Sequence, residues 1–465
     1  MSFLIDSSRR ILHSKSRAAL ASITSTSSTY RKAETPEEEP QIPHSHLFES
    51  LGSDFKKSPH DLEIPTPAEC ATHLELLEVF YVLRQRIIKS ESLDKVFDTE
   101  AQHQEVTLRD GTTKKLRDKD FWERREVKWA KYLQHATARF IVWRRKVTHT
   151  PIDIDSSYAS LPPVDVLMVW HAFLLNPRLF KTTSQELALY KLDFPWRQIH
   201  NAIDNSDWKF TLPEQSSNHF KAATGLAGDL FEQLSTFASD NAPCELSSLR
   251  ALDFQNTADI PQGILALDNS NSIRRHFEIF HGANKEFANQ LRDAVVRQTS
   301  FVDKMNAHLW IRSPAVEGTI TRAMRRYRRF LQLYKLYPNT MFVPTLDIDL
   351  VWHTHQCSAS VYFNSTRSIA GKFVNHDDSI VQDRLDTGFE TTRNLYRIRF
   401  VEEYPICGCW DCEALLSELE RPTHTEDGSP DLETMVKKVI DDVTYYRHVE
   451  ILRRGKQPLP VRQGI

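Results

Sequence analysis

The sequence predicts an all-α fold with two helical lobes joined by irregular loops. Apolar residues recur at helical spacing in several long segments, alternating strand patterns are scarce, and a segment containing a Trp–His pair occurs twice. The composition agrees, because 40% of the 465 residues are hydrophobic and 26% are charged, as in globular proteins. We predict a disordered basic and then acidic N-terminal segment, a first lobe, a linker loop, a second lobe, and a C-terminal linker with a helix. These five segments span residues 1–64, 65–239, 240–271, 272–421 and 422–465.

The N-terminal composition and the overall charge bear on location and partners. The first 33 residues are serine-rich and basic, with Asp6 as their single acid, which is typical of a disordered arm or of a mitochondrial presequence. There is no secretory signal and no run of about 18 apolar residues. We therefore expect a cytoplasmic protein with no membrane partner, and mitochondrial targeting is the alternative. The net charge of −3 argues against a nucleic-acid partner.

Start signals and apolar stripes place the helices of the first lobe. Thr66 can cap a helix that begins at Pro67, and Glu69 completes a capping box. A longer helix is predicted from about Phe121 to Val147 because large residues line one face at spacings of three, four and seven. That face consists of Trp122, Trp129, Leu133, Ala136, Phe140 and Trp143.

Three further stripes predict helices around residues 287–305, 320–334 and 435–446. A run rich in Asp, Asn, Ser and Pro from Asp240 to Asn271 separates the lobes. The helix predicted around residues 320–334 begins with the basic run RAMRRYRRF from Arg322. We interpret its arginines as a solvated helix face, and a phosphate contact is the alternative.

The duplicated segment is an internal repeat. LPPVDVLMVWHAFLLNPRLF from Leu161 and VPTLDIDLVWHTHQCSASVYF from Val343 align at a constant offset of 182 residues. Each copy places a proline and an aspartate before an apolar helix that carries the Trp–His pair, here called the WH helix. Asp165 and Asp347 occupy the start of these helices, where a carboxylate suits the free N–H groups. We predict that they are caps, with metal ligation as the alternative.

The second copy is more polar than the first. Asp349, His355 and Gln356 stand where copy one has apolar residues. These polar groups must therefore hydrogen-bond each other and water, or bind a ligand. Asp349 and His353 are four residues apart and can share one ligand. His353 and His355 point about 200° apart on a helix, so they cannot easily chelate one ion.

A short segment after the second WH helix supplies further candidate ligands. GKFVNHDD from Gly371 contains His376, which could join Asp349 and His353 around a metal ion. The simpler interpretation is an Asx-rich helix start. If the site is a metal-dependent enzyme, His355 is the candidate acid–base residue.

CGCWDCE contributes three closely spaced thiols, Cys407, Cys409 and Cys412. This spacing predicts a metal site, with zinc or iron as the expected ion, and the alternatives are reduced structural thiols or a redox motif. A fourth ligand has to come from elsewhere. The candidates are His353, His355, His376, Cys357 and Glu413.

These motifs together resemble the glycine-rich domain-containing protein-like family, and most closely its fungal members. The resemblance rests on LDIDLVWHTHQ, FVNHDD and CGCWDCE, and on the first copy with the helix AECATHLELLEVF, and it covers about residues 65–413. It implies an α-helical protein without an assigned reaction. Plant relatives are linked to RNA through a glycine-rich tail and a recognition module, which this sequence lacks. We therefore expect a helical protein-binding protein with a structural metal site, and a metal-dependent enzyme is the alternative.

Overall fold

A computed structural model describes most of the chain. The described residues are 30–52, 64–102, 104–107, 112–116, 118–149, 161–184, 188–240, 285–421 and 432–462. The predicted basic arm up to residue 29 and the predicted linker from residue 241 lie outside them, as does Cys244.

The described residues confirm the all-α class. The helices before the linker are α1 (Pro67–Lys89), α2 (Glu91–Phe97), α3 (Phe121–His149), α4 (Val164–Leu174), α5 (Pro177–Ser184), α6 (Ala188–Lys191), α7 (Trp196–Ala202), α8 (Glu214–Thr224) and α9 (Leu230–Asp240). Those after it are α10 (Lys285–His308), α11 (Val316–Leu336), α12 (Leu346–Gln356), α13 (Ala359–Ile369), α14 (Gln382–Phe400), α15 (Trp410–Leu419) and α16 (Leu432–Arg454). α4 and α12 are the two WH helices.

Short antiparallel strand pairs and 3-10 turns complete the described structure. The pairs are β1 (Tyr30–Lys32) with β6 (Pro460–Arg462), β2 (Gln104–Thr107) with β3 (Thr113–Leu116), and β4 (Ile203–Asp204) with β5 (Lys209–Phe210). The 3-10 turns are Pro36–Glu38, Ser45–Gly52 and Trp310–Arg312.

Helix α1 is the central element. The predicted capping box is present, because the amide of Glu69 donates to Thr66 Oγ1 at 3.2 Å and the amide of Thr66 donates to Glu69 Oε2 at 2.7 Å. Most α1 residues are buried on every side of the helix, polar ones such as Glu75 and Glu78 included. A helix buried all round must be enclosed by others, and α1 packs against α3, α10, α11 and α12.

The hydrophobic core is continuous across the two predicted lobes. One cluster of buried side chains includes residues from α1, α3 and α4 as well as from α10, α11 and α12. Polar contacts also join the two parts, since Asn306 Nδ2 donates to Glu78 Oε2 at 2.6 Å and Arg84 pairs with Asp303. None of the described helices is long and apolar enough to span a membrane.

Three local expectations differ from the structure. Residues 30–52, predicted to be disordered, pack their apolar side chains Ile42, Leu47 and Phe48 into the interior, so burial overrides the polar composition of this segment. Trp122, placed on the core face of α3, is 53% exposed because it lies in the first turn, beyond the neighbouring helices. The basic run is not a wholly solvated face, since Arg322 and Arg326 are buried against carboxylates.

Candidate functional site

The second WH helix is buried on almost all sides. Its apolar residues Ile348, Leu350 and Val351 are fully buried, and so are its four polar residues from His353 to Gln356. α12 is enclosed by α1, α11 and α13, so the face that the sequence presents as polar meets protein rather than water. Every polar group here therefore needs a partner inside the protein.

Three predicted ligands converge beside this helix. His353 Nε2 lies 3.2 Å from His376 Nε2 and 3.3 Å from Asp349 Oδ1, and the donor atoms of the three residues all lie within 4.8 Å of one another. Asp349 and His353 meet because they are one helical turn apart. His376 is brought to them by the chain that turns back after α13.

Two of the three separations between these donor atoms match a coordination tetrahedron. Two ligand atoms bound to zinc at about 2.0–2.1 Å with a tetrahedral angle lie about 3.3–3.4 Å apart. The distances from His353 Nε2 to His376 Nε2 and to Asp349 Oδ1 are both close to that value. The group therefore needs little rearrangement to accept a metal ion.

Hydrogen bonding sets the orientation of His376. Its Nδ1 donates to the carbonyl oxygen of Leu175 at 2.9 Å, which leaves the Nε2 lone pair directed at His353. Ligating histidines commonly donate their second nitrogen to a carbonyl in this way. Asp349 Oδ1 and His353 Nδ1 are buried and have no hydrogen-bond partner among the described residues. A bound metal ion would provide a partner for Asp349 Oδ1.

Burial also shifts the protonation of the group. It raises the pKa of Asp349 to about 6, and it lowers the pKa of His353 well below its ordinary value, with His376 adding to the effect. A neutral imidazole is the form that binds a metal, and its Nε2 must carry no proton when it does. A carboxyl with a pKa of about 6 is largely ionised at neutral pH, so Asp349 can bind an ion there and loses this ability as the pH falls below about 6.

Two more histidines lie close to the group. His73 Nδ1 bonds to Thr354 Oγ1 at 2.8 Å, and His73 Nε2 lies 2.9 Å from Nε2 of His171 in the first WH helix. Thr354 Oγ1 donates to a backbone carbonyl, so His73 Nδ1 is the donor of that bond and His171 donates to His73. Sequence reasoning missed His73, because a single histidine on an apolar helix gives no distinguishing signal.

His355 lies apart from the three converging ligands. Tyr327 Oη lies 2.9 Å from its Nδ1, and Ser365 Oγ lies 2.7 Å from its Nε2. Ser365 Oγ also donates to the Val361 carbonyl, so His355 carries its proton on Nε2 and uses both nitrogens. Burial lowers the pKa of His355 to about 3. This neutral, fully hydrogen-bonded ring has the environment of a structural histidine, and it is not part of the group formed by Asp349, His353 and His376.

The two aspartates predicted to cap the WH helices have a different role. The cap positions are Pro163 and Thr345, and neither makes a side-chain capping bond. Asp165 instead accepts from Arg139 Nε at 2.6 Å, and Asp347 accepts from Arg326 Nε at 2.7 Å. The capping prediction is wrong because each carboxylate is buried beside a guanidinium from the preceding long helix, which offers a stronger, charge-assisted bond.

The three thiols of the C-x-C-x-x-C motif also converge. The Sγ atoms of Cys407, Cys409 and Cys412 lie within 4.8 Å of one another at the start of α15. Cys409 is the N-cap of that helix, and the hydrogen bond from the Cys412 side chain is the main cause that lowers its pKa to about 5. The cluster therefore holds a thiolate, which is the ligand form of cysteine.

Two tryptophans fix the loop that carries these thiols. Trp310 Nε1 donates to the Gly408 carbonyl at 2.6 Å, and Trp410 Nε1 donates to the His308 carbonyl at 2.7 Å. Gly408 has φ +69°, and a Cβ at this position would lie 3.1 Å from the Trp310 ring. The close approach of the two segments thus requires glycine between Cys407 and Cys409.

None of the candidate fourth ligands lies in the thiol cluster. Glu413 accepts from Arg322 at 2.6 Å and from Thr319 at 3.1 Å, so its carboxylate is already paired. His353 and His376 belong to the first group, and His355 bonds Tyr327 and Ser365. Cys357 is buried at the end of α12. The sequence could only name these residues as candidates, because it does not fix the distances between elements.

The fold and the two ligand groups define an all-α protein with candidate metal-binding sites. A family model described as glycine-rich domain-containing protein-like matches residues 257–365, so the predicted resemblance to this family is confirmed. The matched segment includes Asp349 and His353 and ends before His376 and the three cysteines.

Two curated relatives come from Arabidopsis thaliana. Glycine-rich domain-containing protein 2 is 27% identical over 253 residues, which are 52% of this chain and 26% of the relative. Glycine-rich domain-containing protein 1 is 22% identical over 253 residues, which are 52% of this chain and 25% of the relative. The alignment thus spans about a quarter of the length of each. No solved structure matches the chain.

Proposed function

We propose that the protein is a helical interaction protein with a structural metal site, in which Asp349, His353 and His376 hold one zinc or ferrous ion. The observation that carries the proposal is the spacing of the donor atoms, 3.2 Å and 3.3 Å, which matches that of ligands around a single ion. Two imidazoles and a carboxylate suit either metal.

The ion would connect the two halves of the molecule. Asp349 and His353 lie on the second WH helix, and His376 is bonded to Leu175 immediately after the first WH helix. A metal bound by these three side chains would therefore hold the two WH helices in fixed positions. Binding to a site that exists only in the folded chain stabilises the fold.

The burial of His353, which is 2% exposed, supports this structural role. Two cavities that touch the WH helices have volumes of about 20 Å³ and about 10 Å³, and neither is lined by Asp349, His353 or His376. A metal-dependent enzyme, the alternative function, needs an open space beside its ion.

The thiol cluster is proposed as a second metal site of softer chemistry. Three sulfur ligands prefer zinc or an iron–sulfur centre, whereas the His–Asp group suits a harder ion. Cys407 is exposed and Cys412 is buried, so an ion here would tie the loop surface to the start of α15.

A protein partner and a cytoplasmic location are also parts of the proposal. Ile398 and Val401, one turn apart at the end of α14, are 70% and 88% exposed. Exposed apolar side chains that lie together are typical of contact surfaces. The reduced thiols suit a reducing compartment.

Metal content is the decisive measurement. The protein should be expressed in medium supplemented with zinc and iron, purified without chelators and analysed for metals by mass spectrometry. We expect close to one equivalent at the His–Asp group, which His353→Phe removes. The matched variant His171→Phe, the same change in the first WH helix, should keep it. Cys407→Ser with Cys409→Ser should remove only the metal of the thiol cluster.

Stability provides a second readout. In the Cys407→Ser, Cys409→Ser background, which removes the thiol site, zinc at a free concentration 100 times the Kd of the His–Asp group should raise the free energy of unfolding by about 2.7 kcal/mol. Adding His171→Phe to this background should keep the effect, and adding His353→Phe should abolish it. A wild-type protein that contains no metal and is not stabilised by zinc or ferrous ion would refute the proposal.

A further inference from the structure

The thiol cluster supplies three ligands, whereas structural zinc sites almost always have four. The two acids in the first turn of α15 already have partners. Asp411 Oδ2 accepts from Arg447 at 2.5 Å, and Glu413 Oε2 accepts from Arg322 at 2.6 Å. A fourth protein ligand would therefore have to come from another element that lies against the thiol loop.

The C-terminal end of α10 is such an element. Trp410 Nε1 donates to the carbonyl oxygen of His308, the last residue of α10, at 2.7 Å. Trp310 Nε1 donates in the opposite direction, to the carbonyl oxygen of Gly408 at 2.6 Å. The two hydrogen bonds hold the backbone of His308 at a fixed position beside the thiol loop.

The imidazole of His308 borders the residue between the first two thiols. A Cβ placed on Gly408 would lie 3.4 Å from His308 Cε1 and 3.6 Å from His308 Nδ1. Gly408 stands between Cys407 and Cys409, so the ring lies next to the short segment from which both of these thiols project. The missing side chain at Gly408 leaves room for this approach.

The ring of His308 is available to an ion. It contacts the Trp310 ring at a centroid distance of 5.2 Å, and neither of its nitrogens has a hydrogen-bond partner among the described residues. The ring has to turn toward the cluster, because its nitrogens do not lie within 4.8 Å of all three sulfur atoms. His308 is partly exposed, so this turn breaks no hydrogen bond and leaves the core unchanged.

We propose that His308 is the fourth ligand of the thiol site, which then has the donor set of a closed structural zinc site, three thiolates and one imidazole. His308 can act in this way only if the three cysteines bind a metal ion, so the inference rests on that proposed function. The bound ion would fasten the end of α10 to the start of α15, where the two tryptophan hydrogen bonds already join these segments.

Cobalt and zinc titrations of the full chain test the role of His308. They are made in the His353→Phe background, which removes the His–Asp site. Cobalt held by thiolates gives charge-transfer absorption, its visible bands report the ligand set, and competition against cobalt gives the zinc affinity. Adding His308→Gln should weaken zinc binding by at least about 100-fold and shift the visible cobalt bands. Adding His308→Cys should restore the affinity and strengthen the charge-transfer absorption, because it supplies a fourth thiolate.

The matched control is His219→Gln, which changes a surface histidine of α8 and should bind both metals like the His353→Phe parent. Restoration by His308→Cys separates the loss of a ligand from a loss of folding. Zinc affinity that is unchanged by His308→Gln would overturn the role of His308 and leave the three-thiol site in place. Absence of cobalt binding in His353→Phe, or binding that survives Cys407→Ser with Cys409→Ser, would overturn the thiol site itself and this inference with it.

Discussion

The two WH helices are held by the same kind of buried ion pair and differ in the polarity of the side chains around them. In each, the aspartate of the first turn accepts from a buried arginine of the preceding long helix, Arg139 in one case and Arg326 in the other. Each arginine also donates to a downstream backbone carbonyl at 2.7 Å, that of Ala227 or of Tyr404. In both cases an arginine of the preceding long helix thus joins the WH helix to a backbone carbonyl of a later segment.

The tryptophans pack similarly, but their polar ends differ. Trp170 lies 5.2 Å from the Trp143 ring, and Trp352 lies 5.4 Å from Phe330. Trp352 Nε1 donates to Tyr362 at 2.9 Å. Trp170 Nε1 is buried and has no hydrogen-bond partner among the described residues.

One apolar pair of the first copy is replaced in the second by two side chains that are each hydrogen-bonded to other residues. At the offset of 182 residues, Phe173 and Phe180 correspond to His355 and Tyr362. Both pairs are in ring contact, with centroids 4.8 Å and 5.0 Å apart. Most polar side chains of copy two are therefore hydrogen-bonded within the protein, and buried atoms without a partner among the described residues remain at Asp349, His353 and Gln356. The internal repeat itself stays an interpretation of the sequence.

The largest expected effect tests whether the two arginines are equivalent. Arg139→Met and Arg326→Met should each lower the free energy of unfolding by about 3–5 kcal/mol, because each leaves a buried aspartate without its counter-charge. Urea denaturation measures the change. Arg325→Met is the control, since Arg325 pairs with Glu420 at the surface and its loss should cost about 0–1 kcal/mol.

Unequal losses of stability in Arg139→Met and Arg326→Met would show that the two WH helices are not held in the same way. A large loss for one arginine and a loss close to that of Arg325→Met for the other would show that only one WH helix depends on its ion pair.

A smaller effect concerns His355, which replaces the phenylalanine of the first copy. Its pKa of about 3 in the folded chain lies below the ordinary 6.5, so below pH 6.5 the unfolded chain binds a proton that the folded chain does not. Its contribution to stability is present above that pH and is lost as the pH falls. Relative to His355→Phe, the wild type should lose about 2 kcal/mol between neutral pH and pH about 5.

Denaturation of the two proteins at several pH values measures this difference, in which other titrating groups cancel. His355→Gln controls for the loss of the polar bonds, since glutamine does not titrate, and should behave like His355→Phe. A difference that does not vary with pH would show that His355 titrates in the folded chain as it does in the unfolded chain.

An effect of similar size concerns Trp352, whose partner Tyr362 corresponds to a phenylalanine, Phe180, in the first copy. Tyr362→Phe should cost about 1–3 kcal/mol, because Trp352 Nε1 and the Val374 carbonyl, to which Tyr362 donates at 2.7 Å, both lose a partner. Thermal unfolding measures the change, and an unaltered midpoint would show that the hydroxyl adds nothing to the stability of the second copy.

Local signals in the sequence predicted the helices well. The capping box at Thr66 and the stripe from Phe121 to Val147 lie within helices of nearly those bounds, because start signals and apolar periodicity act over a few residues. The prediction that Asp349, His353 and His376 could share a site rested on helical spacing for the first two residues. The structure brings His376 to them.

Several assignments required the tertiary structure. Asp165 and Asp347 look like caps in sequence, and only the packing of the long helices shows that each meets an arginine. His73 joins the two WH helices although it lies 98 residues from His171. The sequence offered five candidate fourth ligands for the thiol cluster, and the structure places none of them in it, because the direction of the intervening turns depends on packing.

The sequence by itself thus determined the helical class, the helix starts and which residues could act as ligands. These properties depend on neighbours within about one helical turn. The tertiary structure alone decided which of the polar residues are satisfied. Hydrogen bonds such as those of His355 and Tyr362 depend on how separate helices pack, and that packing leaves buried atoms of Asp349, His353 and Gln356 without a partner among the described residues.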